Sequence, residues 1–486
     1  MGLRQIINCW RKQEIWLKFS EITAVLHTSC VNYPTEDLWY LKKLGMRWCI
    51  PDNVRVELNL LLGSPGLYGE NARLILQFAQ DCGMAGRRAD GGKWDLEQLY
   101  RHCKRGVKPD TICYGAMLFL FGDLAKQNEF LENAVSLAGH YVLVGTGWDC
   151  VIGCSGRIHE LSCDQEMLRK SAKAFWSDAR VHKVGNTVER NPLEQLRRIY
   201  TVKASGTTRY TGLHAAQFRK TGDGGSYGRI FEMSLFEGKL LKVYKKEMAL
   251  RGEDIGKLNA LALHGVSMGH LPLAMPEEML CWTNEKHENI LIGYVMKKLR
   301  GSPIRSYCTI GWEAVRDPYD VLRTIARILV ELHCRHILVN DLSYNNILVG
   351  EDGSVSVVDC DSFQICDYPG GLMTPLYRHP QVSMQNANRC LRQPRYEYFA
   401  LAVLMFQCVM HADPLPPNLK GSEAMPTWDN MEFPLEWNSI SCDKIDKNVF
   451  AAWREQDDAF RKVFSDIFHF RTDCSVGALM REMGLV

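Results

Sequence analysis

Apolar positions along the second half of the chain change period, first two and later about 3.6, and the changes predict where strands give way to helices. Residues 229–235, RIFEMSL, alternate, which places Phe231, Met233 and Leu235 on one strand face. Phe236-Glu237-Gly238-Lys239 reads as a hairpin turn, and LLKVY, 240–244, as the partner strand with Leu240, Lys242 and Tyr244 on a shared face. Between Val321 and Leu332, the residues Leu322, Ile325, Ile328, Leu329 and Leu332 recur at helical spacing. NILV, the turn Glu351-Asp352-Gly353 and SVSVVD then form a second hairpin.

The first half reads as α/β. EITAVLHTSCV, 21–31, is a strand running into a loop; WCIPDNVRVELN, 48–59, and LYGENARLILQF, 68–78, read as a strand or turn followed by helices; HYVLVGTGWD, 140–149, is a buried strand ending in a polar loop. A charged stretch, Gln165 to Tyr200, reads as helical, and the Gly-, Thr- and Ser-rich segment 203–227 marks a boundary near 205. The expected organisation is an α/β domain over 1–165, a helical linker over 166–205, and an α+β domain over 206–486. That last domain divides into a β-rich part, 206–297, and a helical part, 298–486.

With 486 residues, 46% hydrophobic and 23% charged, the chain has the composition of a globular protein with ample core material. A formal net charge of +2 removes any bulk demand for nucleic acid or an anionic membrane. Residues 1–16 lack an apolar signal-peptide core, Ile6 breaks the myristoylation pattern, and the apolar run Phe399 to Met410 is too short to span a bilayer. The expectation is a cytoplasmic protein whose 18 cysteines are reduced and mostly serve as small buried hydrophobes.

The chemistry concentrates in a few places. GDGGSYGRIF, 222–231, precedes a strand, and glycines there let backbone N–H groups approach phosphates closely. In the G-x-G-x-x-G register Asp223 takes the first position, followed by Gly225 and Gly228, so Gly222 or Gly224 must stand in for the first glycine. Lys242, on an inward strand face, needs an anion. In 340–361, NDLSYNNILVGEDGSVSVVDCD, Asp341 and Asn346 are five apart after a long helix, and Asp359 follows Asn346 by thirteen. One carboxylate to orient an attacking hydroxyl and two oxygen ligands for Mg²⁺ are what phosphoryl transfer requires.

This segment resembles the catalytic loop and metal-binding Asp of the protein kinase superfamily, and its wording is similar to a divergent group of bacterial Ser/Thr kinases. The resemblance extends over about 210–486. TPLYRHPQ, 374–381, is similar to the end of a kinase activation segment, YEYFALAVLMFQCVM, 396–410, to the central helix of the large lobe, and GYVMKKLRG, 293–301, to the last small-lobe strand and hinge, with Met296 beside the nucleotide. The resemblance implies a bilobal fold and ATP- and Mg²⁺-dependent transfer to Ser or Thr of a protein, with autophosphorylation possible. In that scheme Asp341 is the base, Asn346 and Asp359 hold Mg²⁺, Lys242 holds the α/β-phosphates, and Gly225 and Gly228 cover them. Glu253, or else Glu247, is the helix glutamate that pairs with the lysine. Several positions depart from the pattern. Asn340 replaces an Arg that reads a phosphorylated loop, which implies another route of regulation. Ser343 replaces a Lys, Asp361 a Gly, and Gln381 a Glu whose arginine partner would be Arg471. These departures keep a nucleotide-binding pseudokinase scaffold open as an alternative.

The N-terminal half is faintly similar to PIN-type nuclease domains. That resemblance would make Glu57, Asp110 and Asp149 metal-binding carboxylates and RNA a partner, giving a metal-dependent RNase regulated by the kinase half. His27 stands where the first Asp of that pattern belongs. Cys150, Cys154, His159 and Cys163 have a C-x3-C-x4-H-x3-C spacing near that of a zinc knuckle, with buried packing cysteines as the alternative.

Overall fold

The computed structural model describes residues 23–26, 28–32, 38–39, 42, 47–50, 52–82, 141–144, 198–203, 208–221, 228–245, 252–283, 289–310, 318–365, 368–371, 373–382, 391–392, 394–415, 427–429, 431–438, 440–441, 443, 445–471 and 476–484. Within them helices and strands are mixed, the α+β content expected from the sequence.

The N-terminal part contains β1 (Thr23–Leu26), β2 (Arg47–Cys49), α1 (Asp52–Leu61), α2 (Leu67–Asp81) and β3 (Tyr141–Val144). Its strands form a parallel sheet in the order β2-β1-β3, and parallel neighbours require crossover connections such as the helices supply.

A seven-stranded antiparallel sheet follows, in the order β5-β4-β9-β10-β8-β7-β6. Its strands are β4 (Ile199–Lys203), β5 (Thr208–Leu213), β6 (Arg219–Lys220), β7 (Gly228–Glu232), β8 (Lys239–Tyr244), β9 (Pro276–Thr283) and β10 (Asn289–Lys297). The helix α3 (Gly252–Ser267) lies between β8 and β9 in sequence and packs on β9. The sheet curls around its own apolar cluster, in which Ile199, Leu213, Phe231, Leu241, Val243, Trp282 and Val295 meet. Two sequence expectations are corrected here. The end of the 166–205 stretch is strand β4, seated between β5 and β9, because IYTVK buries Ile199, Thr201 and Val202 against β9. Leu235 does not join Phe231 and Met233 inside: β7 ends at Glu232, the chain turns, and Leu235 is 48% exposed.

The remainder comprises β11 (Ser302–Pro303), α4 (Ile304–Ile310), α5 (Pro318–Cys334), β12 (Ile337–Leu338), β13 (Ile347–Val349), β14 (Val355–Val357), β15 (Gln364–Ile365), α6 (Pro394–Met410), α7 (Lys447–Glu455), α8 (Asp458–Phe468) and α9 (Val476–Glu482). The predicted hairpin is β13–β14, with Ile347 opposite Val357 and Gly353 in the left-handed region at φ 79°. The helix α6 is apolar on all sides, as a helix surrounded by others must be. Around it pack α4, α5, α7, α8 and α9. Asp446 and Asp457 cap α7 and α8 by accepting the backbone N–H of Asn448 and Phe460, at 2.8 and 2.7 Å.

The N-terminal helices are not a detached unit. α1 packs against α5 and α9, and Val54, Leu58, Leu61, Ile75 and Phe78 belong to the same apolar cluster as Leu329 and Phe406. Polar contacts fasten the seam: Asn32 Nδ2 donates to the Cys334 carbonyl at 2.6 Å, and Arg327 donates to the Gly63 carbonyl at 3.0 Å. Among the described residues no helix is long and apolar enough to cross a membrane.

Candidate active site

Alternation along β8 sends Leu241 and Val243 into the curled sheet and turns Lys242 to the opposite face, where it is 4% exposed. Directly across on β10 stands Tyr294, flanked by Met296, and both face away from the sheet's interior cluster. Gly228 opens β7 beside the lysine. A Cβ at this position would lie 3.0 Å from Lys242 Cγ and 3.0 Å from the Val243 carbonyl oxygen, so a side chain there would crowd the lysine stem. Gly225 lies outside the described residues.

A buried ammonium needs counter-charge. Lys242 Nζ pairs with Asp359 Oδ1, and with Asp361 Oδ1 at 2.7 Å. Asp361 also accepts the hydroxyls of Tyr294, at 3.0 Å, and Tyr244, at 3.2 Å. Burial disfavours the charged lysine, but the Asp361 and Asp359 carboxylates outweigh it and raise the pKa of Lys242. For Asp361, burial pulls upward, yet Lys242, its hydrogen bond, Lys257 and the Tyr294 hydroxyl hold the carboxyl below its ordinary value. Asp359 goes the other way: burial and the neighbouring Asp361 charge raise it, with Lys242 offsetting only part. Two adjacent carboxyls are thus driven apart, as expected for like charges in one pocket.

Asp341, the expected base, follows β12 in a loop. Its Oδ1 accepts the Thr374 backbone N–H at 2.7 Å and its Oδ2 accepts Asn346 Nδ2 at 2.9 Å. The Asn346 amide nitrogen also donates to the Asp341 carbonyl at 2.9 Å. Both of its hydrogens are therefore used on one side, which leaves the amide oxygen as the group that can meet a cation. The Asn346 carbonyl accepts the Val358 N–H at 2.9 Å, which ties the asparagine to the residue before Asp359. Asp341 is near enough for its charge to push Asp359 upward. The four side chains at 242, 341, 346 and 359 thus form one connected group.

An amide oxygen and a carboxylate are hard donors suited to Mg²⁺, which takes a few protein oxygens and completes its shell with phosphate and water. Among the described residues no group of three or more His, Cys, Asp or Glu could hold a metal by itself. The four-residue Cys/His motif at 150–163, together with Asp110, Asp149, His27 and Glu247, lies outside the described residues.

Other expectations met different partners. Glu253 falls in the first turn of α3, its side chain outside the described residues, and Lys242 pairs with Asp359 and Asp361. Further along α3, Lys257 is buried, with its ammonium 3.5 Å from the Pro369 carbonyl. Arg471 does not pair with Gln381. It makes two hydrogen bonds to Glu436, at 3.0 and 2.6 Å, and Gln381 accepts from Arg395 at 3.4 Å. Ser343 is buried and, being uncharged, brings no cation to the site. Glu57 is buried too, and its two oxygens accept the hydroxyls of Thr28 and Tyr398.

Sequence reasoning missed Asp361 as the lysine's partner and treated it only as a missing glycine. A second acid two residues after Asp359, with no glutamate between 254 and 276, was the available signal. In comparison with known proteins, no family model matches the chain and no curated protein matches it.

Proposed function

We propose that the chain from β4 onward, residues 199–486, forms a bilobal protein-kinase-like domain that transfers the γ-phosphoryl group of ATP to a Ser or Thr hydroxyl of a protein, this chain itself included among the acceptors to be tested. The observation that carries this reading is the connected group Lys242–Asp359 and Asp341–Asn346, in which a buried cation, two hard oxygen donors and a carboxylate oriented by Thr374 and Asn346 occupy one site. In this reading the Lys242 ammonium shifts from its carboxylates onto the α- and β-phosphate oxygens. Asn346 Oδ1 and Asp359 would hold Mg²⁺, which when bound neutralises charge on the phosphates. Gly228 lets backbone approach the phosphates, and Met296 packs beside the base. Asp341 accepts the proton of the attacking hydroxyl as the O–Pγ bond forms and the bond to the ADP oxygen breaks.

Asp361 supplies negative charge beside Lys242, and it keeps the lysine pointing into the site. The uncharged Ser343, two residues after Asp341, favours a second reading, a nucleotide-binding scaffold with little transfer. One experiment separates the two: incubation with γ-labelled ATP and Mg²⁺, wild type beside Asp341→Ala, with phosphosite mapping. The kinase reading expects label on Ser or Thr in wild type and a loss of about a hundredfold or more in the variant, which still binds nucleotide. Equal label in both proteins rejects it.

A further inference from the structure

Glu57, which the PIN-type resemblance would make a metal-binding carboxylate, has both of its oxygens engaged by hydroxyls. Its Oε1 accepts the Tyr398 hydroxyl at 3.1 Å, and its Oε2 accepts Thr28. Tyr398 therefore spends its only hydrogen on Glu57, and its oxygen receives His333 Nδ1 at 3.0 Å. The ring's other nitrogen bonds Glu397 Oε2 at 2.5 Å. Glu397 Oε1 accepts the backbone N–H of Asn340 at 2.7 Å. Glu57, Tyr398, His333, Glu397 and Asn340 are between 3% and 8% exposed. They come from α1, α5, α6 and the loop that carries Asp341.

Asn340 sits in the left-handed region at φ 69°, a conformation that a non-glycine residue holds only when its surroundings fix it. Its side chain is pinned as well, donating to the Gly371 carbonyl at 3.0 Å. The direction in which Asp341 leaves the backbone follows from this residue. Glu397 sets the Asn340 amide, His333 sets the second oxygen of Glu397, Tyr398 sets the ring, and Glu57 sets the hydroxyl. In an apolar interior each of these groups must keep its partner, so releasing one end forces the next group to rearrange.

We propose that Glu57 of the N-terminal part is a positioning residue for the loop that carries Asp341, acting through Tyr398, His333 and Glu397. The proposal rests on the kinase reading for its effect on transfer, but not for its effect on the loop. It also supplies a route of control in place of the absent loop-phosphate arginine: a partner that moves α1 would move Asp341.

The test uses the full chain. Tyr398→Phe keeps the ring volume and removes both hydroxyl bonds; Glu57→Leu removes the acceptor; Glu57→Gln keeps an oxygen for Tyr398 and an N–H for Thr28. Amide hydrogen exchange should quicken at residues 339–342 in Tyr398→Phe and Glu57→Leu, with Glu57→Gln close to wild type. Where transfer is measured, kcat should fall about ten- to a hundredfold while KM for ATP stays within about twofold. The double variant Glu57→Leu/Tyr398→Phe should be no worse than the poorer single one, because both cut the same chain. Unchanged exchange in the loop overturns the proposal, and so does faster exchange with wild-type kcat. A wild-type protein without Asp341-dependent transfer sinks the kinase reading instead, and the exchange result still decides whether Glu57 holds the loop.

Discussion

Tyr294 and Lys242 stand opposite each other across β10 and β8, and the tyrosine hydroxyl and the lysine ammonium bind the same oxygen of Asp361. A strand pair thereby presents a cation already aimed by an acid from a distant loop.

Removing the charge of Asp361 should therefore disable the lysine without emptying the site. Asp361→Asn keeps the shape and an acceptor for Tyr294, yet leaves Lys242 drawn to Asp359 alone. The expected result is a fall in kcat/KM for Mg–ATP of about tenfold or more. Steady-state kinetics would check it, and a variant as fast as wild type would mean that Asp359 alone aims the lysine.

Gly228 should tolerate no branched side chain. Gly228→Val places its Cβ 3.0 Å from Lys242 Cγ and 3.0 Å from the Val243 carbonyl, and that backbone oxygen cannot swing away. A stability loss of about 1–3 kcal/mol is expected. Nucleotide affinity should weaken together with it. Denaturant midpoints and a nucleotide titration give the two readouts.

His264 predicts an acid limb in stability. It lies on α3 with Nε2 buried and no hydrogen-bond partner among the described residues. Burial, with the Arg335 charge facing it, pushes the imidazole down from 6.5 to about 4. Between those values the unfolded chain binds a proton that the folded chain refuses, so stability is full above the higher pH and drains away as pH falls toward the lower. The loss is about 3 kcal/mol over that interval. His264→Gln should flatten this dependence in urea unfolding followed from pH 7 to pH 4.5.

Much of the candidate site was legible because its residues lie close together in sequence. Asp341, Asn346 and Asp359 share one loop and one hairpin, and the turn at Gly353 fixes their separation in sequence and space alike. Lys242 was readable from period two, which puts it opposite Leu241 and Val243. The Asp361–Lys242 pair was hidden because it joins residues 119 apart, and no periodicity reports such a meeting. The Glu57–Tyr398 contact was hidden for the same reason, because its residues are 341 apart in sequence. The strand β4 was missed because five residues, IYTVK, follow a long charged run whose helical character was extended over them.

The contact of α1 with α9 also bears on how the chain acquires its shape. Asp52–Leu61 is a ten-residue helix, too short to persist alone in water. Its partners α5 and α9 come much later in the sequence, α9 after nearly all of the other elements. During synthesis α1 therefore leaves the ribosome long before the surfaces that will hold it. Consolidation of the early segment then waits on the late one, and a nascent chain arrested before Val476 would carry an N-terminal region still open to proteases and chaperones.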